Sequence, residues 1–316
     1  MAGGIDKAYT GEALIKSVET KDRFGHPERI APYYPSERLV ESVKLARLLR
    51  RPLLLKGEPG CGKTRLAKAV AYEMYGDDYA QKYFEWNVKS TTKAKDGLYT
   101  FDYIQRLRDA QLEGQNQEIE KRSDRPENYI QYGELGRAFM ASKEGAPAIL
   151  LIDEVDKADI DFPNDLLLEL DQTRFEVQEV KKQGLSKVIT AEEKPIIFIT
   201  SNDERELPPA FLRRCLFHFI DFPNPTIMDQ IISSNFPELA GKVREEAIKQ
   251  FYDLRQKMQE EANTEKKVAT SELIDWVKIL NTFDEKEILE KLESDDILFN
   301  QSLLKSKTDF TLHAKK

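Results

Sequence analysis

Gly57-Glu58-Pro59-Gly60-Cys61-Gly62-Lys63-Thr64 decides how the rest of this 316-residue chain is read. It fits G-x-x-x-x-G-K-[ST], a loop whose consecutive backbone N–H groups cradle phosphate oxygens. Gly57, Gly60 and Gly62 carry no Cβ, so the loop can enter positive φ and let a phosphate come close to the backbone. The flanks agree with this. Arg51-Pro52-Leu53-Leu54-Leu55-Lys56 reads as a short buried strand. Lys63 to Tyr75 reads as a helix with Leu66, Val70 and Met74 on one face and Gly76 as its stop. A strand, a glycine loop and a helix start together place an anion on the helix N-terminus.

A phosphate loop of this spelling expects a nucleoside triphosphate and Mg²⁺. Glu58, Pro59, Gly60, Cys61, Gly62, Lys63, Thr64 and Arg65 form the expected nucleotide-binding set. Lys63 is spaced to reach the β- and γ-phosphates, and the Thr64 hydroxyl to bind Mg²⁺. Cys61 sits among phosphate-binding amides at a helix start, which should lower its pKa, and bound ATP should then protect it from alkylation.

Working outward, Ala148-Ile149-Leu150-Leu151-Ile152 is an unbroken apolar run, as in a parallel strand buried on both faces. It ends in Asp153-Glu154. Asp153 is expected to hold Mg²⁺ with Thr64, and Glu154 to polarise the water that attacks the γ-phosphate. A second buried strand, Pro195 to Thr200, ends at Ser201-Asn202, and the Asn202 amide can both donate to and accept from that water. Leu207-Pro208-Pro209-Ala210-Phe211-Leu212-Arg213-Arg214 puts two arginines after a short helix. From a neighbouring subunit, either could stabilise transition-state charge.

The remaining elements complete an α/β pattern. Ser36 to Leu49 reads as a helix capped by Ser36, with Leu39, Val43, Leu45, Leu48 and Leu49 apolar. Phe84 to Val88 reads as a strand. Gly97 to Tyr103 reads as a hairpin or short helical insert, and Gln105 to Asn128 as a solvated helix and loop. Gly133 to Met140 and Asp165 to Leu170 read as helices. Phe175-Glu176-Val177 can pair with Lys187-Val188-Ile189, and Leu216 to Ile220 is a fifth core strand. Strands alternating with helices predict a parallel, doubly wound sheet. After Phe222-Pro223-Asn224-Pro225 only helical periodicity remains, at about 226–234, 242–261, 270–280, 285–292 and 297–305, with fraying expected beyond Phe310.

Composition narrows the function classes. A net charge of −8 opposes a general nucleic-acid binder without excluding a small basic pore. Cys61 and Cys215 make no disulfide framework and fit a reducing compartment. His26, His218 and His313 are too dispersed for a zinc site. The start lacks the apolar core of a signal peptide, and no run reaches the ~18 apolar residues of a membrane span. The expectation is a cytoplasmic protein.

These motifs together resemble the AAA+ ATPases, and more closely the MoxR type, over about residues 30–310. The likeness rests on G-E-P-G-C-G-K-T, I-L-L-I-D-E-V-D-K-A (149–158), I-T-S-N-D (199–203) and L-P-P-A-F-L-R-R (207–214), with Y-P-S-E-R-L-V (34–40) ahead of R-P-L-L-L-K-G-E-P-G. It implies an α/β P-loop AAA+ core with a five-stranded parallel sheet of order 5-1-4-3-2 flanked by helices, plus a small all-helical lid. The implied organisation is a lead-in (1–35), a nucleotide-binding domain (36–223) and a helical lid (224–316). The domain would carry a helix-2 insert (about 97–135) and a hairpin before the sensor strand (about 172–194).

The resemblance also implies a homo-oligomeric ring, usually a hexamer, with nucleotide at subunit boundaries. Asn202 would be the sensor, Arg214 (or Arg213) the residue acting in trans, and Asn87 a polar partner restraining Glu154. Such rings remodel or activate specific proteins, often ones with a von Willebrand factor A domain. The chain departs from the pattern in two places. Glu272 stands where a lid arginine is expected, so that lid coupling either differs or uses Lys266 or Lys267, and Lys157 replaces an arginine whose planar fork it lacks. Two alternatives share the engine. One is a nucleic-acid motor or loader using Tyr99, Phe101 and Tyr103. The other is a nucleotide-controlled scaffold, as in bacterial defence.

Overall fold

The computed structural model describes residues 9–115, 122–181, 184, 186–260, 267–292 and 297–313. Its strands are β1 (Val18–Lys21), β2 (Pro27–Ile30), β3 (Leu53–Lys56), β4 (Tyr83–Asn87), β5 (Tyr99–Phe101), β6 (Ile130–Tyr132), β7 (Ile149–Asp153), β8 (Arg174–Glu176), β9 (Val188–Thr190), β10 (Ile196–Ser201) and β11 (Leu216–Phe219). Five of them form one sheet in the order β11-β3-β10-β7-β4, and every pairing in it is parallel. Counted along the chain, this is the expected 5-1-4-3-2.

The three central strands are covered on both faces, which is why β3, β7 and β10 are near-continuous apolar runs, whereas the edge strands β4 and β11 carry polar or exposed positions. Leu54, Leu150, Ile152, Ile197 and Ile199 point into one buried cluster with Phe139 and Leu166. Leu53, Leu55, Ile149, Leu151 and Phe198 point into the other, against Leu39, Leu66 and Val70. The second face is covered by the helices Glu37–Leu49 and Lys63–Tyr75. Ser36 caps the first of these, accepting from the Leu39 N–H at 3.2 Å. That helix buries Leu39, Val43 and Ala46, one residue per turn. Leu45, Leu48 and Leu49, expected on the buried stripe, instead face outward at 42%, 76% and 51% exposure.

The insert closes on itself. A helical turn at Ala94–Leu98 leads into β5, which pairs antiparallel with β6, and the helix Tyr103–Gln115 lies between them in sequence. The expected charge run therefore becomes a helix, with residues 116–121 outside the described ones. The hairpin before the sensor strand is present as β8 and β9, with Phe175 opposite Ile189. The single helix expected at 165–170 is two short ones, Phe162–Asp165 and Leu167–Gln172.

The C-terminal part is helical, at Pro225–Asn235, Gly241–Glu260, Thr270–Leu280, Glu285–Leu292 and Lys307–His313. It packs its own core around Phe251, Leu273, Trp276 and Leu280, all fully buried. Two expectations fail here. The 297–305 stretch holds only a 3-10 turn, Asn300–Ser302. The expected fraying past Phe310 does not hold through His313, whose ring is buried at the end of the last helix; residues 314–316 lie outside the described ones.

Candidate active site

The glycine loop follows the C-terminal end of β3, where a parallel sheet opens its ligand crevice. Gly57, Gly60 and Gly62 all have positive φ (151°, 79° and 95°). Space is as tight as conformation. A Cβ on Gly60 would meet the Ala269 Cβ at 2.7 Å, and one on Gly62 would meet the Tyr33 ring at 3.1 Å. The C-terminal helices and the lead-in thus close on the loop from two sides. A cavity of about 990 Å³ opens there. Lys63, Thr64, Asp153, Glu154 and Asn202 line it, together with Tyr33 and Ile274.

Lys63 is buried, and its Nζ donates to the carbonyls of Gly57 (2.6 Å) and Glu58 (3.2 Å). Thr64 Oγ1 donates to Asp153 Oδ1 at 3.1 Å, and Thr200 Oγ1 donates to the same oxygen at 2.6 Å. Burial pushes the Asp153 carboxyl up, and these two hydroxyls only partly offset it. A hydroxyl and a carboxylate oxygen at a phosphate loop form the hard-oxygen donor set that suits Mg²⁺. Among the described residues no group of three or more His, Cys, Asp or Glu forms an all-protein metal cage.

Glu154 follows β7 with φ 59°, a left-handed turn that swings its carboxylate away from the strand direction. Asn202 Nδ2 donates to Glu154 Oε1 at 3.2 Å, and Lys157 pairs with Oε2. The Asn87 amide instead bonds to Glu85 at 3.4 Å, so the expected Asn87–Glu154 restraint is not made here. Arg65 is exposed at the cavity rim. The Cys61 expectation is overturned, because its thiol is buried and burial pushes its pKa up against the pull of Lys63.

Arg213 and Arg214 do not line this cavity. They precede β11, whose first residue, Leu216, pairs with Leu53; the loop begins beyond Lys56, which pairs with Phe219. The loop is therefore roughly 13 Å further along the sheet than the start of β11, at ~3.3 Å per residue. The Arg214 guanidinium is turned to Asp171 at 3.0 Å.

Four contributors escaped the sequence reading. Thr200 bridges Asp153 and the Glu154 N–H, which donates to it at 2.8 Å. A hydroxyl in an otherwise apolar strand was the available signal, since a buried polar group needs partners. The buried Asp156 carboxylate accepts from the Asn202 and Glu204 N–H groups at 3.0 and 2.9 Å, fixing the turn after β10. Arg51 donates to three carbonyls around the arginine pair. Arg255, from the helix Gly241–Glu260, pairs with Glu58 of the glycine loop, stacks on Phe222 at 3.6 Å and donates to the Val268 carbonyl. Lys267 also reaches Glu58, at 3.3 Å. Together these cations hold the Glu58 carboxyl below its usual range despite its partial burial. Lys266 lies outside the described residues. Glu272 caps its own helix by accepting the Ala269 N–H at 3.0 Å.

The strands, the glycine loop and the acidic turn fall together within residues 53–224, which match the model of the ATPase family associated with various cellular activities (AAA). The chain belongs to this family. A shorter stretch of 70 residues is 47% identical to the archaeal Lon protease of Methanothermobacter thermautotrophicus. That alignment covers 22% of this chain and 11% of the relative.

Proposed function

We propose that this chain hydrolyses ATP with Mg²⁺, as a ring subunit of the MoxR type that remodels or activates a protein partner. The partner expected from that resemblance carries a von Willebrand factor A domain. One observation supports the reading above the others. The loop, Asp153, Glu154 and Asn202 converge on one cavity, while the arginine pair lies at the opposite end of β11 from its own loop. A second copy is the natural source of an arginine at that cavity.

The roles follow from position. The loop amides and Lys63 would bind phosphate oxygens, with Lys63 exchanging the Gly57 and Glu58 carbonyls for them. Thr64 and Asp153 would hold the metal. Bound Mg²⁺ would supply the charge that neutralises the phosphates. Glu154 would accept the proton of the attacking water, and Asn202, already on Glu154, would keep the carboxylate in line. Among the described residues no helix is long and apolar enough to cross a membrane, and a cytoplasmic address belongs to the same proposal. Nucleic acid fits less well. Tyr99 is buried and stacks on Phe175, and Phe101 packs on Tyr103 and Tyr129, which leaves Tyr103, at 60% exposure, as the one open ring of the three.

The test is Glu154→Gln. Its steady-state ATP turnover should fall by ~10²-fold or more, the usual contribution of a positioned base, while ATP binding and ATP-dependent assembly persist. Turnover at the parent rate would show that another group activates the water.

A further inference from the structure

We propose that Arg51 is a positioning residue for the Arg213–Arg214 pair, so that the segment carrying each subunit's phosphate loop also aims the arginines offered to the next subunit. The proposal rests on the composite-site reading above.

The geometry is local and specific. The chain leaves the short helix Pro209–Leu212 through three residues, Arg213, Arg214 and Cys215, before β11 begins. Carbonyls in such a turn take their donors from outside it, from water or from a side chain. Arg51 serves all three. Its Nε donates to the Arg214 carbonyl at 3.1 Å, and its Nη2 donates to the carbonyls of Arg213 and Cys215, the latter at 3.1 Å. A planar guanidinium presents its N–H groups in a fixed fork, so three acceptors on one fork define the orientation of the turn. Next to it, the Leu216 N–H donates to the Pro52 carbonyl at 2.8 Å.

Arg51 is itself held firmly. It follows Arg50, the left-handed C-cap of the helix Glu37–Leu49, and its N–H donates to the Ala46 carbonyl at 3.1 Å. Two residues later β3 begins, and β3 runs straight into Gly57. One strand thus carries the phosphate loop at one end and the clamp on the arginine turn at the other. Neither Arg51 nor the arginine pair lines the chain's own cavity, so the effect of Arg51 should be felt at a neighbour's site.

The test is subunit mixing. Arg51→Gln alone should lower kcat for ATP by ten- to a hundredfold, the scale of an ~1 Å misplacement of a working group, with the Kd for ATP within about twofold of the parent. Arg51→Lys, which keeps the charge but not the fork, should fall between the two and covers the case in which the glutamine variant fails to fold. Arg51→Gln subunits retain an intact cavity, and Glu154→Gln subunits retain an intact arginine turn. Mixed in equal amounts, the two should therefore recover turnover well above the sum of their separate rates.

Absence of recovery on mixing would overturn the proposal, as would weakened ATP binding at unchanged kcat; both would place the action of Arg51 in its own subunit. The Arg213→Ala/Arg214→Ala double variant separates this from failure of the parent reading. If the double variant turns over normally, the composite site itself is wrong. If it is inactive and is rescued by Glu154→Gln subunits while Arg51→Gln is not, only the role of Arg51 falls.

Discussion

Replacing Arg255 with alanine should loosen the C-terminal helices from the glycine loop, and the structure gives the size of the effect. The guanidinium makes three contacts at 10% exposure. Its hydrogen bond to the Val268 carbonyl has a charged donor and contributes ~1.5–3 kcal/mol. Its stacking on Phe222 at 3.6 Å contributes ~1–2 kcal/mol. Its ion pair with Glu58 involves a carboxylate at 40% exposure, so solvent screening holds that contribution to under ~1 kcal/mol. Lys267 stays on Glu58, leaving no bare charge behind. Contacts sharing one group are not additive, and the expected loss is ~2–4 kcal/mol.

The chain carries its own reporters for this measurement. Of its two tryptophans, Trp86 lies on β4 of the sheet, packed into its core, and Trp276 lies in the core of the C-terminal helices. Urea unfolding followed by fluorescence in Trp86→Phe and Trp276→Phe backgrounds reads each part separately. With Arg255 present the two transitions should coincide. In Arg255→Ala the Trp276 transition should move to lower urea by the equivalent of ~2–4 kcal/mol, and the Trp86 transition by less than ~1 kcal/mol. If both move together, or Trp276 shifts by less than ~1 kcal/mol, the idea that Arg255 ties the helices to the loop is refuted.

Three further outcomes are expected. Gly60→Ala puts a Cβ 2.7 Å from the Ala269 Cβ at φ 79°, and left-handed strain of ~1–2 kcal/mol should weaken ATP binding roughly tenfold or more in a fluorescent-nucleotide titration; unchanged affinity would mean the C-terminal turn gives way freely. Cys61 should alkylate more slowly at neutral pH than an unhindered thiol, because burial disfavours its thiolate; rapid iodoacetamide labelling at pH 7 by mass spectrometry would contradict this. Burial pushes the Glu179 carboxyl up, but Tyr103, Tyr99 and Lys95 outweigh it and bring it down to about 2. Its contribution to stability is therefore complete above the ordinary glutamate range and disappears as pH falls through about 2. Glu179→Gln should flatten the acid limb of a thermal-stability profile between pH 5 and 2, and an unaltered limb would count against those contacts.

The sheet was legible because its central strands are separate apolar runs and its order follows from the family likeness. The loop and the Asp153–Glu154 turn were legible because their chemistry is local in sequence. Where the reading failed, the deciding contacts are distant. Leu45, Leu48 and Leu49 share a helix with Leu39 and Val43, but only the position of the sheet decides which stripe is covered. Cys61 was judged by its neighbours along the chain, whereas the Ile220 and Tyr33 side of the loop sets its burial. Arg51 and Arg255 carry no local signature, since each acts on residues about two hundred positions or fewer away that only the fold brings near. Glu272 stands at a position where an arginine was expected, yet its work is local, closing the start of its own helix.

The strand order has a consequence for how the chain is made. β3, which carries the glycine loop, is flanked in the finished sheet by β10 and β11, and both are synthesised roughly 140–160 residues after it. During translation the loop's strand has neither neighbour, and its apolar faces stay open until the ribosome has passed Phe219. Pairings so remote in sequence fold slowly. A nascent chain halted before β11 would present the apolar β3 as a sheet edge, a state prone to edge-to-edge association. The nucleotide site is therefore among the last features of the protein to exist, since the residues that line it include Ile227 and Ile274, beyond the final strand.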